Sequence, residues 1–337
     1  MLNNKQIKFV GLEKNQIIKK VIQELKIKDP DFVYNPDHIQ KLIDNLQVSK
    51  EKIEFIRNVR QRTPDWDLAR NGIIDYENNV FIPPRLTASR SGTGLKHNKK
   101  ETQFKLLQNL IWPQSSKKFN EYAKKIMDKG TAYEILVLKN ITMVLNSKFK
   151  SLNMNNEIWI EDIGLVIDYN YPWLAASSDG LVHILNSFDE TENISGLEIK
   201  VPGNNKPYPK IPHEYYDQIM NAMYILNLKD YYFACYTPHE THLSHYQYDA
   251  NYWEGECMPK LEDFYWTQVI PSWIIKVYKR LQVGKLQNER VITFCFPSSP
   301  LSIENNDNPT IDQESKQKKK NSNNNNVTLV ANKKIKL

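Results

Sequence analysis

The sequence predicts an α/β protein in which a mixed central β-sheet is flanked by helices. Three observations predict it. Apolar residues recur at helical spacing between Glu13 and Arg60. Short β-prone runs bounded by Pro, Gly and Asp-Gly fill the stretch from Trp159 to Tyr236. Between two of those runs lies an amphipathic segment, Tyr215 to Leu226, and a helix between strands is the unit from which helix-covered mixed sheets are built. With 337 residues, 40% hydrophobic and 25% charged, the chain is long enough for one large domain with extensions.

Taken in order, Ile17, Ile18, Val21, Ile22 and Leu25, then Ile39, Leu42, Ile43 and Leu46, mark residues 1–60 as an N-terminal helical extension. Residues 61–296 are the expected core domain. In it, Phe119 to Leu145 reads as a long helical region broken or restarted near Gly130. Trp159 to Ile184 reads as strands joined by tight turns. There the Asp179-Gly180 pair, between Trp173–Ala176 and Leu181–Ile184, predicts a hairpin turn. Ile194 to Val201 is a strand stopped by Pro202 and Gly203. Ile219, Ala222, Met223 and Leu226 fall at i, i+3, i+4 and i+7, which predicts the amphipathic helix. Tyr231 to Tyr236 returns as a strand, and Trp266 to Leu281 closes the core with a helix. Residues 297–337, rich in Ser, Pro, Asn and Lys, are too polar to pack and are expected to form a disordered tail.

Composition limits the function classes. No stretch approaches the roughly 18 apolar residues of a membrane span, and the N-terminus lacks the apolar run of a signal peptide, so an intracellular protein without a membrane partner is expected. Cys235, Cys257 and Cys295 are far apart and form no C-x-x-C pair; they read as reduced and structural, and four ligands for an iron–sulfur cluster are lacking. The net charge of +6 is misleading as a sign of nucleic-acid binding. Seven lysines lie in 316–337, and removing them leaves 38 basic against 39 acidic residues, so the body is nearly neutral. The tail lysines read equally as an import signal, a DNA tether or a solvated tail. The seven histidines form no ligand-spaced set; His239, His242 and His245 are expected to decorate a strand or loop rather than to bind zinc.

The most informative local feature is Leu197-Glu198-Ile199-Lys200-Val201. In a strand, Glu198 and Lys200 share one face while Leu197, Ile199 and Val201 can enter a core. Asp179, in the preceding turn, can meet Glu198 across neighbouring strands. Two converging carboxylates suit a hard divalent cation such as Mg²⁺, and a lysine beside them can orient a water or offset charge on a phosphorus atom. An ordinary ion pair on an exposed strand is the competing explanation for an isolated Glu-x-Lys. Glu134, one helical turn after Gly130, can add a third acid, and Gln218 puts an amide on the next helix. Far upstream, Trp66-Asp67-Leu68-Ala69-Arg70 and Arg85-Leu86-Thr87-Ala88-Ser89-Arg90 gather guanidinium and hydroxyl groups fit to grip a phosphate, although Trp66 also suits a core position.

In this order the motifs resemble those of the lambda-exonuclease/YqaJ-like viral recombinase family, within the PD-(D/E)XK nuclease superfamily, from about Arg62 to Leu281. They are Trp-x-x-x-Arg, Thr-Ala-Ser, Gly-x-x-x-Glu, Ser-x-Asp-Gly, Glu-x-Lys and a glutamine on the next helix. The resemblance implies a restriction-endonuclease-like core and a DNA exonuclease that uses Mg²⁺ or Mn²⁺ on double-stranded ends, in the 5′ to 3′ direction, for recombination, repair or viral genome processing. It implies a metal held by Asp179, Glu198, the Ile199 carbonyl and Glu134, with Lys200 and Gln218 completing the catalytic set. Trp66, Arg70 and Ser89 would bind the terminal 5′-phosphate. A single-strand annealing protein and a homotrimeric ring are implied partners. An endonuclease of the same fold and a catalytically silent DNA-binding scaffold are the alternatives. Three departures stand out: Asn71 to Leu86 separate Arg70 from Thr87 by more than the family usually needs, Ser178 replaces the proline before Asp179, and Met220 stands where a second glutamine is usual.

Overall fold

The computed structural model describes residues 11–112, 136–147, 156–187 and 189–283. Three helices come first: α1 (Lys14–Lys28), α2 (Pro36–Asp44) and α3 (Lys50–Arg57). The last two are opened by Asn35 and Ser49, whose side chains accept from backbone N–H groups of the first turn. Val21, Leu25, Ile39 and Leu42 project from α1 and α2 into the same apolar cluster that underlies the sheet. Then follow α4 (Pro64–Asn71), a two-stranded ribbon of β1 (Ile73–Asp75) and β2 (Val80–Ile82), β3 (Leu86–Thr87), α5 (Ala88–Gly94) and α6 (Gln103–Ile111). Residues 136–147 are helical (α7), as the sequence predicts for that part. Gly130 and the 297–337 tail lie outside the described residues.

The central sheet is mixed and five-stranded. Its order is β10 (Thr241–Gln247), β9 (Asp230–Tyr236), β8 (Glu192–Lys200), β7 (Gly180–Asn186) and β4 (Asn156–Glu161). β8 pairs antiparallel with β7 and parallel with β9. Parallel neighbours need a crossover, and α8 (His213–Leu226) supplies it; Asn227, in the left-handed conformation at φ 52°, ends that helix. A smaller sheet has the order β3, β6 (Leu174–Ala176), β5 (Val166–Ile167). Residues 251–283 are helical throughout: α9 (Met258–Phe264) lies between two π-helical stretches, Asn251–Cys257 and Tyr265–Val269, and α10 (Ile270–Val283) follows.

Strand alternation builds two cores. On one face, Leu197, Ile199, Tyr232 and Ala234 pack with Val137, Ile141 and Leu145 of α7. On the other, Tyr231, Phe233 and Cys235 join Ile219, Met220 and Met223 of α8. The mixed sheet flanked by helices is thus the architecture that the sequence predicts.

The expected hairpin at Asp179-Gly180 is corrected. β6 belongs to the small sheet and β7 to the large one, so Ser177, Ser178 and Asp179 form a bridge between sheets. The Asp-Gly signal failed because the backbone of Asp179 is already engaged by β8: its N–H donates to the Leu197 carbonyl at 3.0 Å. Among the described residues, no helix is long and apolar enough to cross a membrane.

Candidate active site

Glu198 and Lys200 project from β8 on the side opposite Leu197 and Ile199, as strand alternation requires. The Lys200 ammonium donates to Glu198 Oε1 and lies 5.0 Å from the centre of the Tyr215 ring on α8. Glu198 is 3% exposed. Burial works against the lysine charge, but the Glu198 and Asp179 carboxylates outweigh it and hold the ammonium above the usual lysine range. Glu198 and Lys200 are therefore no surface ion pair on an exposed strand.

Asp179 approaches from the start of β7. Its Oδ2 accepts from the Ile199 N–H at 2.6 Å, while its own N–H is held by Leu197. Two backbone bonds to β8 thereby fix this carboxylate beside the Glu-x-Lys segment. Ile199 itself is 9% exposed, with its side chain in the core under α7. Gln218 is buried on α8, three residues beyond Tyr215 and so on a neighbouring part of the helix surface. Met220 at the second glutamine position is a core residue, and its sulfur accepts from the Asp249 N–H at 3.4 Å. Glu134 lies outside the described residues.

Tyr231 was not singled out in the sequence except as a sheet residue. Its hydroxyl shares a 2.7 Å hydrogen bond with Ser178 and reaches the Leu197 carbonyl at 3.4 Å. Burial, with Glu198 and Asp179 close by, pushes that hydroxyl well above the usual tyrosine range, so it stays a proton donor beneath the two acids. Gly196 makes the room: a Cβ there would lie 2.0 Å from the Tyr231 ring. The available signal was Ser178 itself, a hydroxyl in place of the family's proline.

The upstream residues also come together. α4 carries Trp66 and Arg70 at i, i+4, and the guanidinium stacks 4.8 Å from the indole centre. Arg70 donates to Ser89 Oγ at 3.0 Å, and Ser89 in turn contacts Thr87 Oγ1 at 3.2 Å. Trp66 is 6% exposed, with its N–H on Ser177 Oγ at 3.3 Å, so it serves as a buried platform for Arg70. The long separation between the two motifs is absorbed by the β1–β2 ribbon. Arg85 N–H returns to the Arg70 carbonyl at 3.1 Å, closing the excursion. Gly72, at φ 66°, opens it where a Cβ would meet the Ile82 carbonyl oxygen at 2.2 Å.

Two arginines of the predicted phosphate grip are built into the scaffold instead. Arg85 has no exposed surface and donates to the carbonyls of Pro172 (2.9 Å), Ala69 (2.7 Å) and Leu46 (3.2 Å). Burial pushes its guanidinium down to about 10, still protonated at neutral pH. Arg90 donates to Asn71 Oδ1 and to the Arg85 carbonyl, and burial followed by repulsion from Arg70 pushes it down to about 9. Sequence patterning counts guanidinium groups but does not see the carbonyls that claim them.

A mixed sheet with Glu-x-Lys on an inner strand and an aspartate opening its antiparallel neighbour is the arrangement expected from the resemblance to the restriction-endonuclease-like PD-(D/E)XK core. Residues 65–229, close to half of the chain, match the model of the YqaJ-like viral recombinase domain. Among solved structures, the chain is similar to an alkaline exonuclease from Laribacter hongkongensis, with a TM-score of 0.43 and 19% identity over 66% of this chain and 100% of that one. It is also similar to that exonuclease in complex with dAMP, with a TM-score of 0.37 and 16% identity over 59% of this chain and 93% of the other. No curated protein matches the chain.

Proposed function

We propose that this chain is a metal-dependent DNA exonuclease that hydrolyses phosphodiester bonds from duplex ends in the 5′ to 3′ direction, for recombination or genome processing. The match to the YqaJ-like viral recombinase domain supports a nuclease of the lambda-exonuclease type. The observation that carries the proposal is the meeting of Asp179, Glu198 and Lys200 at one end of the β7–β8 pair.

The donor set fits a hard divalent cation, Mg²⁺ or Mn²⁺. Asp179 and Glu198 offer carboxylate oxygens, and the Ile199 carbonyl and Glu134 are the further proposed ligands. When bound, the cation supplies Lewis acidity toward a phosphate oxygen and a water. Glu198, buried and now held by the ammonium, would exchange that partner for the cation. Lys200 would then be released toward the phosphate, where it orients the attacking water or offsets charge on the phosphorus. Tyr231 fixes the Ser178–Asp179 bridge from below, and Gln218 is proposed to position water or phosphate from α8.

Arg70 and Ser89 are proposed to bind a terminal 5′-phosphate, with Trp66 holding the guanidinium flat. A charged fork beside a hydroxyl suits a phosphate dianion, and its capture would select an end over an internal bond. Processive action as a trimer and cooperation with a single-strand annealing protein belong to the same proposal.

Linear and closed circular duplexes of equal length, incubated with purified protein and Mg²⁺ or Mn²⁺, test this directly. Consumption of the linear form alone is expected. Nicking of the circle would replace the proposal with an endonuclease, and inertness toward both would leave a DNA-binding scaffold.

A further inference from the structure

A second cluster of ligand-type side chains lies on another part of α8. His213 and Asp217 stand at i, i+4 on that helix, and His97 reaches them from the loop after α5. The loop is positioned by close packing. Gly92 lets α5 approach α8 until a Cβ would lie 2.5 Å from Glu214 Cα, and Lys96, in the left-handed region at φ 65°, turns the chain back. The His97 N–H then donates to the Gly92 carbonyl at 2.8 Å.

His97 Nδ1 is 2.9 Å from Asp217 Oδ2, and His213 Nε2 is 3.9 Å from Asp217 Oδ1. The two imidazoles stack with centres 4.0 Å apart and planes 7° from parallel. Asp217 has no exposed surface, whereas His213 opens to solvent with its side chain 53% exposed. The Tyr252 hydroxyl donates to Asp217 and lies 2.8 Å from His213 Nε2.

We propose that His97, His213 and Asp217 form a second metal site, for a borderline divalent cation of the Zn²⁺ class, distinct from the carboxylate site on β8. The burial of Asp217 motivates it. A carboxylate with no exposed surface is costly without a charge partner, and the side chains in contact with it, two imidazoles and a phenol, hold no permanent charge. One divalent cation would supply that charge.

The three donors are gathered but not yet aligned for such a cation. Metal–ligand bonds of about 2.1 Å in tetrahedral array separate donor atoms by roughly 3.4 Å. His97 Nδ1 lies 2.9 Å from Asp217 Oδ2 and His213 Nε2 lies 3.9 Å from the other carboxylate oxygen, and one ligand atom from each residue lies within 4.8 Å of the others. Parallel stacked rings cannot both aim a lone pair at one ion, so uptake requires the exposed His213 to swing its Nε2 from Tyr252 to the cation. Two nitrogens and one oxygen favour Zn²⁺, Co²⁺ or Ni²⁺ over Mg²⁺, and the open side leaves a position for water. On uptake His97 would coordinate through Nδ1 and His213 through Nε2, so each ring keeps one proton on its other nitrogen and only a second ring proton, where present, leaves to solvent. Because His97 is on the α5 loop and the other two ligands are on α8, the cation would clamp the helix that also bears Tyr215 and Gln218. Neither the nuclease reading nor the β8 site is needed for this inference.

Chelator-stripped protein titrated with Co²⁺ tests it through the visible ligand-field absorption, to which Mg²⁺ is silent. Glu198→Gln, which disables the β8 carboxylate site, is expected to retain one tight equivalent of absorbing Co²⁺ and a cobalt-dependent rise in melting temperature. His213→Ala removes an exposed side chain and leaves no cavity, and it is expected to weaken that equivalent by about 100-fold or more. His97→Gln should do the same. Absence of tight, absorbing Co²⁺ in Glu198→Gln would overturn the proposal, as would wild-type uptake by His213→Ala.

Discussion

The acid–lysine cluster on β8 and the arginine cluster around Arg70 are built by different means. The first is almost wholly local: one strand presents Glu198 and Lys200 on the same face, and two backbone bonds bring Asp179 alongside. The second joins α4 to α5 across a β-ribbon, and it holds only because Gly72 and Arg85 close that ribbon at its base. A local cluster is robust to what happens elsewhere in the fold. An assembled one transmits every fault in its scaffold, so the two should fail differently under mutation.

The largest expected effect breaks the first cluster at its cation. Lys200→Ala should lower the single-turnover rate on linear duplex by about 10²- to 10³-fold, the usual cost of removing one preorganised charge from a transition state. Binding of the same duplex, measured without turnover, should change little. Near-wild-type turnover would remove Lys200 from the proposed mechanism.

The next effect sharpens the contrast. Arg70→Ala loses a charge-assisted contact worth about 1.5–3 kcal/mol, so the preference for 5′-phosphorylated over 5′-hydroxyl ends should fall by about 10- to 100-fold. Cleavage chemistry on 5′-hydroxyl ends should persist, because the carboxylates do not depend on Arg70. A wild-type protein indifferent to the 5′ group would dissolve the pocket assignment, whatever the variant does.

This contrast also accounts for what the sequence made legible. The period-two alternation in β8 and the i, i+3, i+4 spacing in α8 are local rules, so the helix, the strand and the shared face of Glu198 and Lys200 were readable before any coordinates. The β6–β7 hairpin was misread because Asp-Gly reports a local turn preference, while the partner of each strand is chosen by tertiary packing. Arg85 was misread for the same reason: three backbone carbonyls from distant segments decide that it is buried. His97 and His213 form no pattern in the sequence because they lie on separate elements, far apart along the chain. Only His213-x-x-x-Asp217 gave a local hint, and the second histidine comes from another element.

A stability effect tests whether the local cluster is as self-contained as its sequence suggests. Gly196→Ala would drive a methyl group into the Tyr231 ring. Overpacking of this kind costs about 1–3 kcal/mol. For a chain of this size each kilocalorie lowers the melting temperature by roughly 1–2 °C. Because the clash is with one ring, the cost of Gly196→Ala should largely vanish in a Tyr231→Leu background, and a double-mutant cycle should show strong coupling between the two positions. Additive losses would mean that Gly196 matters for the backbone of β8 and not for the space it yields to Tyr231.

The smallest effect concerns an aromatic face that α8 lends to the β8 site. Lys200 Nζ lies 5.0 Å from the centre of the Tyr215 ring, a distance at which the ring attracts a partly desolvated cation by about 0.5–1 kcal/mol. Tyr215→Leu should therefore slow cleavage by only about 2- to 5-fold, with Tyr215→Phe close to wild type because the ring, and not the hydroxyl, faces the ammonium. If Tyr215→Phe proves as slow as Tyr215→Leu, the hydroxyl is the active part. Tyr215 would then act on the substrate or on water, and α8 would contribute chemistry to the site as well as packing.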